Sequence, residues 1–460
     1  MIWLVAALLS APQAFAARPP FPTQAWQFEG RWRAGELLLV VDPLSPHHAT
    51  VSVDGGPPRP RRGFGRSISG DTQFSFPQAG LTLALRMRPG GRALDAAIDR
   101  AGAVSSAVFV REVDPSAPKR PQTPRPPYPY DSYDLAIDTG SGVLQGTMTL
   151  PRGGGPFPAV VLFGGTGQED RDGSFAGHRP FFVIADHLTR RGFATLRFDE
   201  RGRGRSSGLS GELRSVDADA LDALALVDVL RQQPEIDPAR VGIVGHSEGG
   251  LVAVSAASLK DDVAFIVLLG SPAMDGVALS LLQHESMQRA RGAPETHLAF
   301  ERDVRTRVYD ILKTEPDRER AREAIRAVLR DATATAGDSM PWLFTFTLAI
   351  DALAGPRYSA VFRQRLLFDP EPLLRTLRIP VLALFGSRDV QVPAAANAPL
   401  MEAAIAGSSP LSDVMILDGL NHVFQTARTG AIEEYAHLEE TIAPRALAEI
   451  TPWLRRAAQK

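Results

Sequence analysis

The stretch VGIVGHSEGG, residues 241–250, places Ser247 between an apolar run and a glycine pair. The run VGIVG has the composition of a buried strand, and GGLVAVSAAS, which begins at the glycine pair, has that of a helix. A Gly-x-Ser-x-Gly pattern at a strand-to-helix junction is typical of a sharp turn that pushes the serine side chain out of the sheet. Ser247 is therefore a candidate nucleophile, although the pattern alone also fits an ordinary turn residue.

A serine nucleophile needs a general base and an acid that orients the base, and both follow later in the chain. DGLNHVFQ supplies His422 directly after a predicted strand, and PVLALFGSRDVQVP supplies Asp389 at the end of another. Asp418 is the rival acid, but its position at a strand end makes it a natural turn residue. The order Ser, Asp, His is the order found in the α/β-hydrolase fold.

Acyl transfer also needs two N–H donors that bind the developing oxyanion. The backbone of Glu248, at the start of the predicted helix, is the first candidate. The loop in VVLFGGTGQEDRDG offers the second, from Thr166 or alternatively Gly165. A phosphate-binding role for this loop is the weaker interpretation, because the loop lacks the Gly-Lys-Ser/Thr ending of a P-loop.

Composition excludes several other classes of function. The chain has 460 residues and 44% hydrophobic residues, so it can bury a large core. Lys and Arg number 50 against 52 Asp and Glu, which gives no electrostatic reason to expect nucleic acid or an anionic membrane as partner. The absence of cysteine excludes disulfides, thiolate metal sites and cysteine nucleophiles. We expect no metal and no cofactor, and the sequence does not indicate the oligomeric state.

The first 16 residues, MIWLVAALLSAPQAFA, have the apolar run and the Ala-Phe-Ala ending of a signal peptide. They contain no basic side chain, so a short buried helix is the alternative. No other apolar run approaches the length that spans a bilayer. We therefore expect an exported, periplasmic or secreted protein with no membrane span after cleavage.

The remaining chain divides by pattern into three parts. Residues 22–115 contain short alternating segments such as ELLLVV and LTLALRMR, which predict a small β-rich domain. Residues 116–131 are proline-rich and predict an extended linker. In residues 132–460, apolar runs alternate with helical stretches, which predicts a mainly parallel sheet covered by helices. Within that domain, residues 273–370 lack strand patterns and predict an inserted helical cap over the pocket.

Taken together, these motifs resemble a family: the secreted bacterial α/β-hydrolases of the carboxylesterase type, which are grouped with serine aminopeptidase-like and prolyl-oligopeptidase-like hydrolases. The resemblance rests on the loop Gly165–Gly173 and on RFDERGRGRSSG, GHSEGG, FGSRDVQVP and NHVFQTARTGAIEEY. It implies an α/β-hydrolase fold and places the family's triad on Ser247, Asp389 and His422. One departure is Gln168, where the family loop usually has proline.

These observations lead us to expect a serine hydrolase that cleaves small-molecule carboxylic esters of small or medium acyl chains through an acyl-enzyme. An aminopeptidase or dipeptidyl-peptidase-like enzyme is the first alternative, because fold and triad are shared and the cap selects the substrate. It would need carboxylates for a free amine, and Glu285 or Glu301 in the cap are candidates. A catalytically silent binding protein of the same fold is the second alternative, and the complete triad argues against it.

Overall fold

The computed structural model describes residues 30–35, 37–42, 45–52, 61–68, 71–76, 81–87, 93–112, 118–166, 169–208, 214–336 and 359–459. These residues fall into two compact units, which divide mainly between Lys119 and Arg120. The predicted signal peptide, residues 1–16, and Gln168 lie outside the described residues.

In the first unit, eight described strands form a closed antiparallel barrel. Each strand pairs with its neighbour in the chain, and the first pairs with the eighth. Apolar side chains fill the interior, among them Trp32, Leu94, Ile98 and Phe109. The prediction of a β-rich N-terminal domain is confirmed. The strands are β1 (Gly30–Ala34), β2 (Leu37–Asp42), β3 (Ser45–Ser52), β4 (Arg61–Ile68), β5 (Asp71–Phe76), β6 (Leu81–Met87), β7 (Ala93–Arg100) and β8 (Ala103–Glu112).

In the second unit, eight described strands form one sheet in the order β16-β15-β14-β13-β11-β12-β10-β9. The two pairs that involve β10 are antiparallel, and all other neighbours are parallel. Strands β12 and β15 are buried along their whole length, which explains their continuous apolar sequence. The strands are β9 (Tyr130–Asp138), β10 (Val143–Pro151), β11 (Phe157–Phe163), β12 (Ala194–Asp199), β13 (Ile236–His246), β14 (Ile266–Leu269), β15 (Val381–Gly386) and β16 (Asp413–Leu417).

Helices cover both faces of this sheet. Val160 and Val161 of β11 lie in different hydrophobic cores, because successive strand side chains point to opposite faces. Leu226 of α2 packs into the core that contains Val161, and Leu188 of α1 packs into the core that contains Val160. The described helices are α1 (Pro180–Thr189), α2 (Val216–Arg231), α3 (Glu248–Leu259), α4 (Gly276–Ala290), α5 (Glu295–Thr314), α6 (Arg318–Ala336), α7 (Ser359–Leu366), α8 (Glu371–Thr376), α9 (Ala394–Ile405), α10 (Ile432–Tyr435) and α11 (Pro444–Ala457). None of them combines the length and the apolar character needed to cross a bilayer.

Helices α4 to α7 lie between strands β14 and β15, where the sequence predicts the cap. The first and last residues of this insertion meet: the Gly276 N–H donates to the Phe368 carbonyl over 3.0 Å. The junction of the cap with the sheet domain, at Gly276 and Phe368, is called the neck. A Cβ at Gly276 would lie 2.3 Å from the carbonyl oxygen of Arg365, so only glycine fits there. The cap therefore leaves and rejoins the sheet domain at one place.

The proline-rich segment is attached to the second unit along part of its length. The Arg120 guanidinium donates to the carbonyls of Leu438 and Ala436 over 2.7 and 2.8 Å. The Gln122 amide donates to the Ile442 carbonyl over 2.6 Å. The proline density of residues 116–131 predicts an extended linker, and the sequence contains no signal for these distant backbone contacts. In the structure, the part from Arg120 onward is held by hydrogen bonds.

Candidate active site

Ser247 forms the turn between β13 and α3. Its backbone has φ 55° and ψ −121°, a region that non-glycine residues rarely occupy. The Ser247 N–H donates to the Leu269 carbonyl at the end of β14 over 2.8 Å, and the Ser247 carbonyl accepts from the Gly250 N–H over 3.0 Å. Hydrogen bonds to the sheet and to the helix thus hold the serine in a strained conformation, as expected of a nucleophile elbow.

The glycines of the motif are required by backbone packing. A Cβ at Gly245 would lie 2.2 Å from the Gly249 carbonyl oxygen. A Cβ at Gly249 would lie 2.2 Å from the carbonyl oxygen of Gly164, in the loop after β11. Strand, helix and loop therefore approach each other at backbone contact, which brings the predicted oxyanion loop against the elbow.

Asp389 and His422 are paired. His422 Nδ1 lies 2.8 Å from Asp389 Oδ2, and both side chains are buried. The other carboxylate oxygen of Asp389 accepts the N–H groups of Gln391 and Val392, each over 2.8 Å. Because the carboxylate accepts at Nδ1, the proton of a neutral imidazole sits there and Nε2 is left as the acceptor. The rival acid, Asp418, instead accepts from the Ser387 hydroxyl over 2.9 Å.

The residues beside Ser247 contact this pair. A Cβ at Gly270, which follows the strand residue that binds the Ser247 N–H, would lie 3.3 Å from both Asp389 Oδ2 and His422 Nδ1. The His246 ring lies 4.7 Å from the His422 ring, centroid to centroid. Among the described residues, no hydrogen bond joins Ser247 Oγ to His422. Catalytic hydrogen bonds are often long before substrate binds, and the proton transfer between these two groups stays a prediction.

His246 is a functional candidate that the sequence reasoning missed. Its Nε2 donates to the His422 backbone carbonyl over 2.9 Å and so holds the loop that carries the predicted base. Burial, together with the neighbouring His422, lowers the pKa of His246 to about 3, so the ring is neutral at physiological pH. Its place next to Ser247 in the motif was the only signal in the sequence.

The predicted oxyanion donors lie around the elbow. The Glu248 N–H is in the first turn of α3, where no helical carbonyl is available to accept it. A Cβ at Gly165 would lie 3.2 Å from Ser247 Cβ, so this loop directly adjoins the serine. The Gly165 N–H, however, already donates to Glu169 Oε1 over 3.3 Å, which favours Thr166 as the second donor. The Thr166 hydroxyl donates to Glu248 Oε2 over 2.5 Å.

Behind this loop, Glu169 and Glu200 form a carboxyl pair that the sequence analysis did not identify. Their backbones are bonded to each other, because the Glu200 N–H donates to the Glu169 carbonyl over 3.1 Å. A Cβ at Gly164 would lie 2.5 Å from Glu169 Oε2 and 3.0 Å from Glu200 Oε1, so both carboxyls converge there. Burial raises the pKa of Glu169 to about 7, with the Asp170 charge adding to the effect. Burial and the charge of Glu169 raise the pKa of Glu200 well above its usual range.

Two arginine–aspartate pairs brace the surrounding loops. The Arg171 guanidinium donates two hydrogen bonds to Asp199, of 2.7 and 3.1 Å. Arg201 binds Asp222 through two hydrogen bonds of 2.5 Å each. These contacts stabilise the loops beside the elbow.

The cap carboxylates considered for amine binding are already paired with cationic or imidazole groups. Glu285 binds Arg289 over 2.7 Å and also contacts Arg302. Glu301 is buried and contacts His284, and His297 lies 3.4 Å away. Arginines therefore compensate the charge of Glu285, and Glu301 is buried against imidazole groups, away from solvent.

The sequence of this chain is similar to those of known hydrolases. A family model described as "Serine aminopeptidase, S33" matches residues 179–329. Esterase EstD of Thermotoga maritima is 25% identical over 316 residues, which cover 68% of this chain and 65% of that esterase. The 2,6-dihydropseudooxynicotine hydrolase of Paenarthrobacter nicotinovorans is 25% identical over 124 residues, or 26% of this chain and 30% of that hydrolase. The chain thus spans somewhat less than two thirds of the esterase and under a third of the second relative.

The chain also aligns with solved structures. An esterase of Pyrococcus furiosus aligns with 75% of this chain and 100% of its own, at 17% identity and a TM-score of 0.43. The Est1E protein of Butyrivibrio proteoclasticus, solved with ferulic acid, aligns with 71% and 100% of the two chains at 16% identity and a TM-score of 0.41. The predicted similarity to α/β-hydrolases of the esterase type is confirmed by the sequence matches. The chain has the α/β-hydrolase fold, with a mainly parallel sheet, an inserted helical segment and a β-rich N-terminal domain.

Proposed function

We propose that this chain is a serine hydrolase that cleaves carboxylic esters of small or medium acyl chains through an acyl-enzyme intermediate. In the proposed mechanism, His422 Nε2 takes the proton of Ser247 Oγ as the oxygen attacks the ester carbonyl. The N–H groups of Glu248 and Thr166 bind the resulting oxyanion, and Asp389 stabilises the imidazolium. The alcohol leaves with the proton from His422. Water, activated by the same histidine, then releases the acid, and no metal or cofactor takes part.

The observation that carries the proposal is the arrangement around Gly270. The strained Ser247 turn is bonded to Leu269, the adjacent residue, while Asp389 and His422 meet 3.3 Å from where a Gly270 side chain would begin. A hydrogen-bonded acid–histidine pair beside a positive-φ serine is the arrangement that makes a serine hydroxyl nucleophilic. A turn serine with no catalytic role would not need this buried pair.

A serine peptidase is the second candidate, because the matching family model is described as a serine aminopeptidase. Such an enzyme needs a carboxylate to bind the free amine of its substrate. Glu285 and Glu301 were the candidates, and both are occupied by cationic or imidazole partners. This supports esters over aminoacyl substrates.

The test compares p-nitrophenyl esters of increasing acyl length with aminoacyl p-nitroanilides. We expect fast cleavage of the short and medium esters, slow or no cleavage of the anilides, and covalent labelling of Ser247 by a fluorophosphonate. Ser247→Ala should lose both the cleavage of esters and the fluorophosphonate labelling. Ser258→Ala is the matched control, because Ser258 lies on α3, the helix that follows Ser247, and its hydroxyl donates to the Val254 carbonyl over 2.8 Å.

Two results would change the assignment. Rapid anilide cleavage with inert esters would replace the esterase by a peptidase. Failure of wild-type protein to hydrolyse either substrate or to accept the label would favour a silent binding protein of the same fold.

We also propose that the protein is exported, on the basis of the signal-like residues 1–16. Expression of the full chain should give a mature protein that begins at Ala17 in the periplasm or medium. Intact-mass and N-terminal sequencing of each cell fraction test this, and a cytoplasmic product that retains Met1 would contradict it.

A further inference from the structure

The carboxylate of Glu248 accepts a hydrogen bond through one oxygen and forms an ion pair through the other. Its Oε2 accepts the Thr166 hydroxyl over 2.5 Å, and its Oε1 lies 2.9 Å from Arg365 Nε. Both charged side chains are mostly buried, with 19% of Arg365 and 13% of Glu248 exposed. The three side chains thus form a chain of contacts that begins at the predicted oxyanion loop and ends at Arg365.

Arg365 belongs to the cap. It lies near the end of α7, and its carbonyl packs against Gly276 at the neck where the cap begins. Glu248, in contrast, is the first residue of the helix after Ser247, and Thr166 follows the strand β11. The contact therefore joins the cap to both segments that carry the predicted oxyanion donors.

The surroundings give the arginine an electrostatic role. A small cavity open to solvent adjoins the loop, and the carboxyl side chains of Glu200, Asp219 and Glu248 line it. Negative charge at this place opposes the formation of an oxyanion bound by the Glu248 N–H. Arg201 also lines the cavity, but its guanidinium binds Asp222. Arg365, in contrast, directly contacts the Glu248 carboxylate.

We propose that Arg365 and the Glu248 side chain are positioning residues for the oxyanion hole. Arg365 neutralises and fixes the Glu248 carboxylate, which in turn fixes Thr166 and the direction of its backbone N–H. The cap thereby contributes to transition-state binding as well as to substrate entry. This inference rests on the proposed function of the site.

Its test uses two variants that break the chain of contacts at opposite ends, Arg365→Ala and Thr166→Val. Because oxyanion donors act on the transition state, each variant should lower kcat about 10- to 100-fold and change KM less than about threefold. The rate of fluorophosphonate labelling should fall by a similar factor. Thr166→Ser keeps the hydroxyl and should restore most of the kcat that Thr166→Val loses.

Arg363→Ala is the matched control for the arginine. Arg363 lies on the same helix, but its guanidinium donates to the Glu315 and Lys313 carbonyls within the cap over 3.0 and 3.2 Å. Its removal loosens the cap without breaking the contact to Glu248, so any effect should appear in KM. Thermal unfolding of all variants identifies any loss of kcat that comes from a loss of folded protein.

The outcomes separate this inference from the proposed function. If wild-type protein is labelled and active, and Arg365→Ala and Thr166→Val behave like Arg363→Ala, the positioning role is wrong and the hydrolase stands. A loss confined to KM leads to the same conclusion. If wild-type protein neither reacts with the fluorophosphonate nor hydrolyses esters, the proposed function fails and the inference fails with it.

Discussion

Replacing Glu169 with glutamine is expected to stabilise the protein at alkaline pH and to leave its stability at acid pH almost unchanged. Burial, aided by the nearby Asp170 charge, raises the pKa of Glu169 from 4.5 to about 7 in the folded state. The folded protein therefore keeps a proton that the unfolded chain releases between these pH values. Because the unfolded state binds fewer protons there, the free energy of unfolding falls as pH rises through this window.

The magnitude follows from the size of the pKa difference. At about 1.4 kcal/mol per pKa unit, the change from 4.5 to about 7 corresponds to about 3 kcal/mol of lost stability above pH 7. Glutamine is neutral at every pH, and its amide oxygen can still accept the Gly165 N–H that bonds Glu169 Oε1 over 3.3 Å. It also removes the charge that raises the pKa of Glu200. Glu169→Gln should therefore exceed wild type by about 3 kcal/mol at about pH 8 and match it at about pH 4.

Urea unfolding, followed by far-ultraviolet circular dichroism from about pH 4 to about pH 9, measures this difference. The signal reports on helices, and all described helices belong to the unit that contains the site. Glu402→Gln, at an exposed position on α9, is the control. Its free energy of unfolding should depend on pH in the same way as that of wild type. If the Glu169→Gln curve also runs parallel to wild type at every pH, the Glu169 carboxyl does not hold its proton as argued.

Other substitutions probe the rest of the site. Asp389→Asn removes the acceptor that holds His422 Nδ1–H and should lower kcat about 10³- to 10⁴-fold in ester assays, whereas Asp418→Asn should have little effect. Gly249→Ala places a methyl group 2.2 Å from a backbone carbonyl oxygen and should lower the unfolding free energy by about 2 to 3 kcal/mol, while Gly407→Ala, with open space around it, should not. Ser271→Ala should raise the free energy of unfolding by about 1 kcal/mol, because this buried hydroxyl has no hydrogen-bond partner among the described residues. If the urea midpoints of Gly249→Ala and Ser271→Ala equal that of wild type, the packing and hydrogen-bonding arguments are wrong.

Features with a local sequence signal could be predicted. Strands buried on both faces, such as β12 and β15, appear as continuous apolar runs, and Ser215 caps α2 as its position before the helical pattern indicates. The pairing of Asp389 with His422 follows from strand-end positions, because the carboxyl ends of parallel strands share one edge of the sheet. Each of these inferences uses residues that lie close together in sequence or a topology that the pattern already fixes.

Contacts between side chains that are distant in sequence could not be predicted. Glu169 meets Glu200 because two loops converge behind Gly164, and neither segment carries a motif for a carboxyl pair. Arg365 reaches Glu248 only because the cap rejoins the sheet domain beside α3. The charged runs around these residues look the same in sequence as runs on solvated surfaces, so their roles depend on the fold.

The charges near the elbow fit one physical requirement. Glu169, Glu200 and Glu248 all lie close to the predicted oxyanion loop, and three free carboxylates there would oppose negative charge on a bound oxygen. The protein compensates for them in two ways. Burial raises the pKa of both Glu169 and Glu200, so that this pair retains a proton at neutral pH, and Arg365 neutralises Glu248. Since the Glu248 N–H is itself a predicted donor, its side chain is the carboxylate nearest in sequence to the reaction, and it is paired with Arg365.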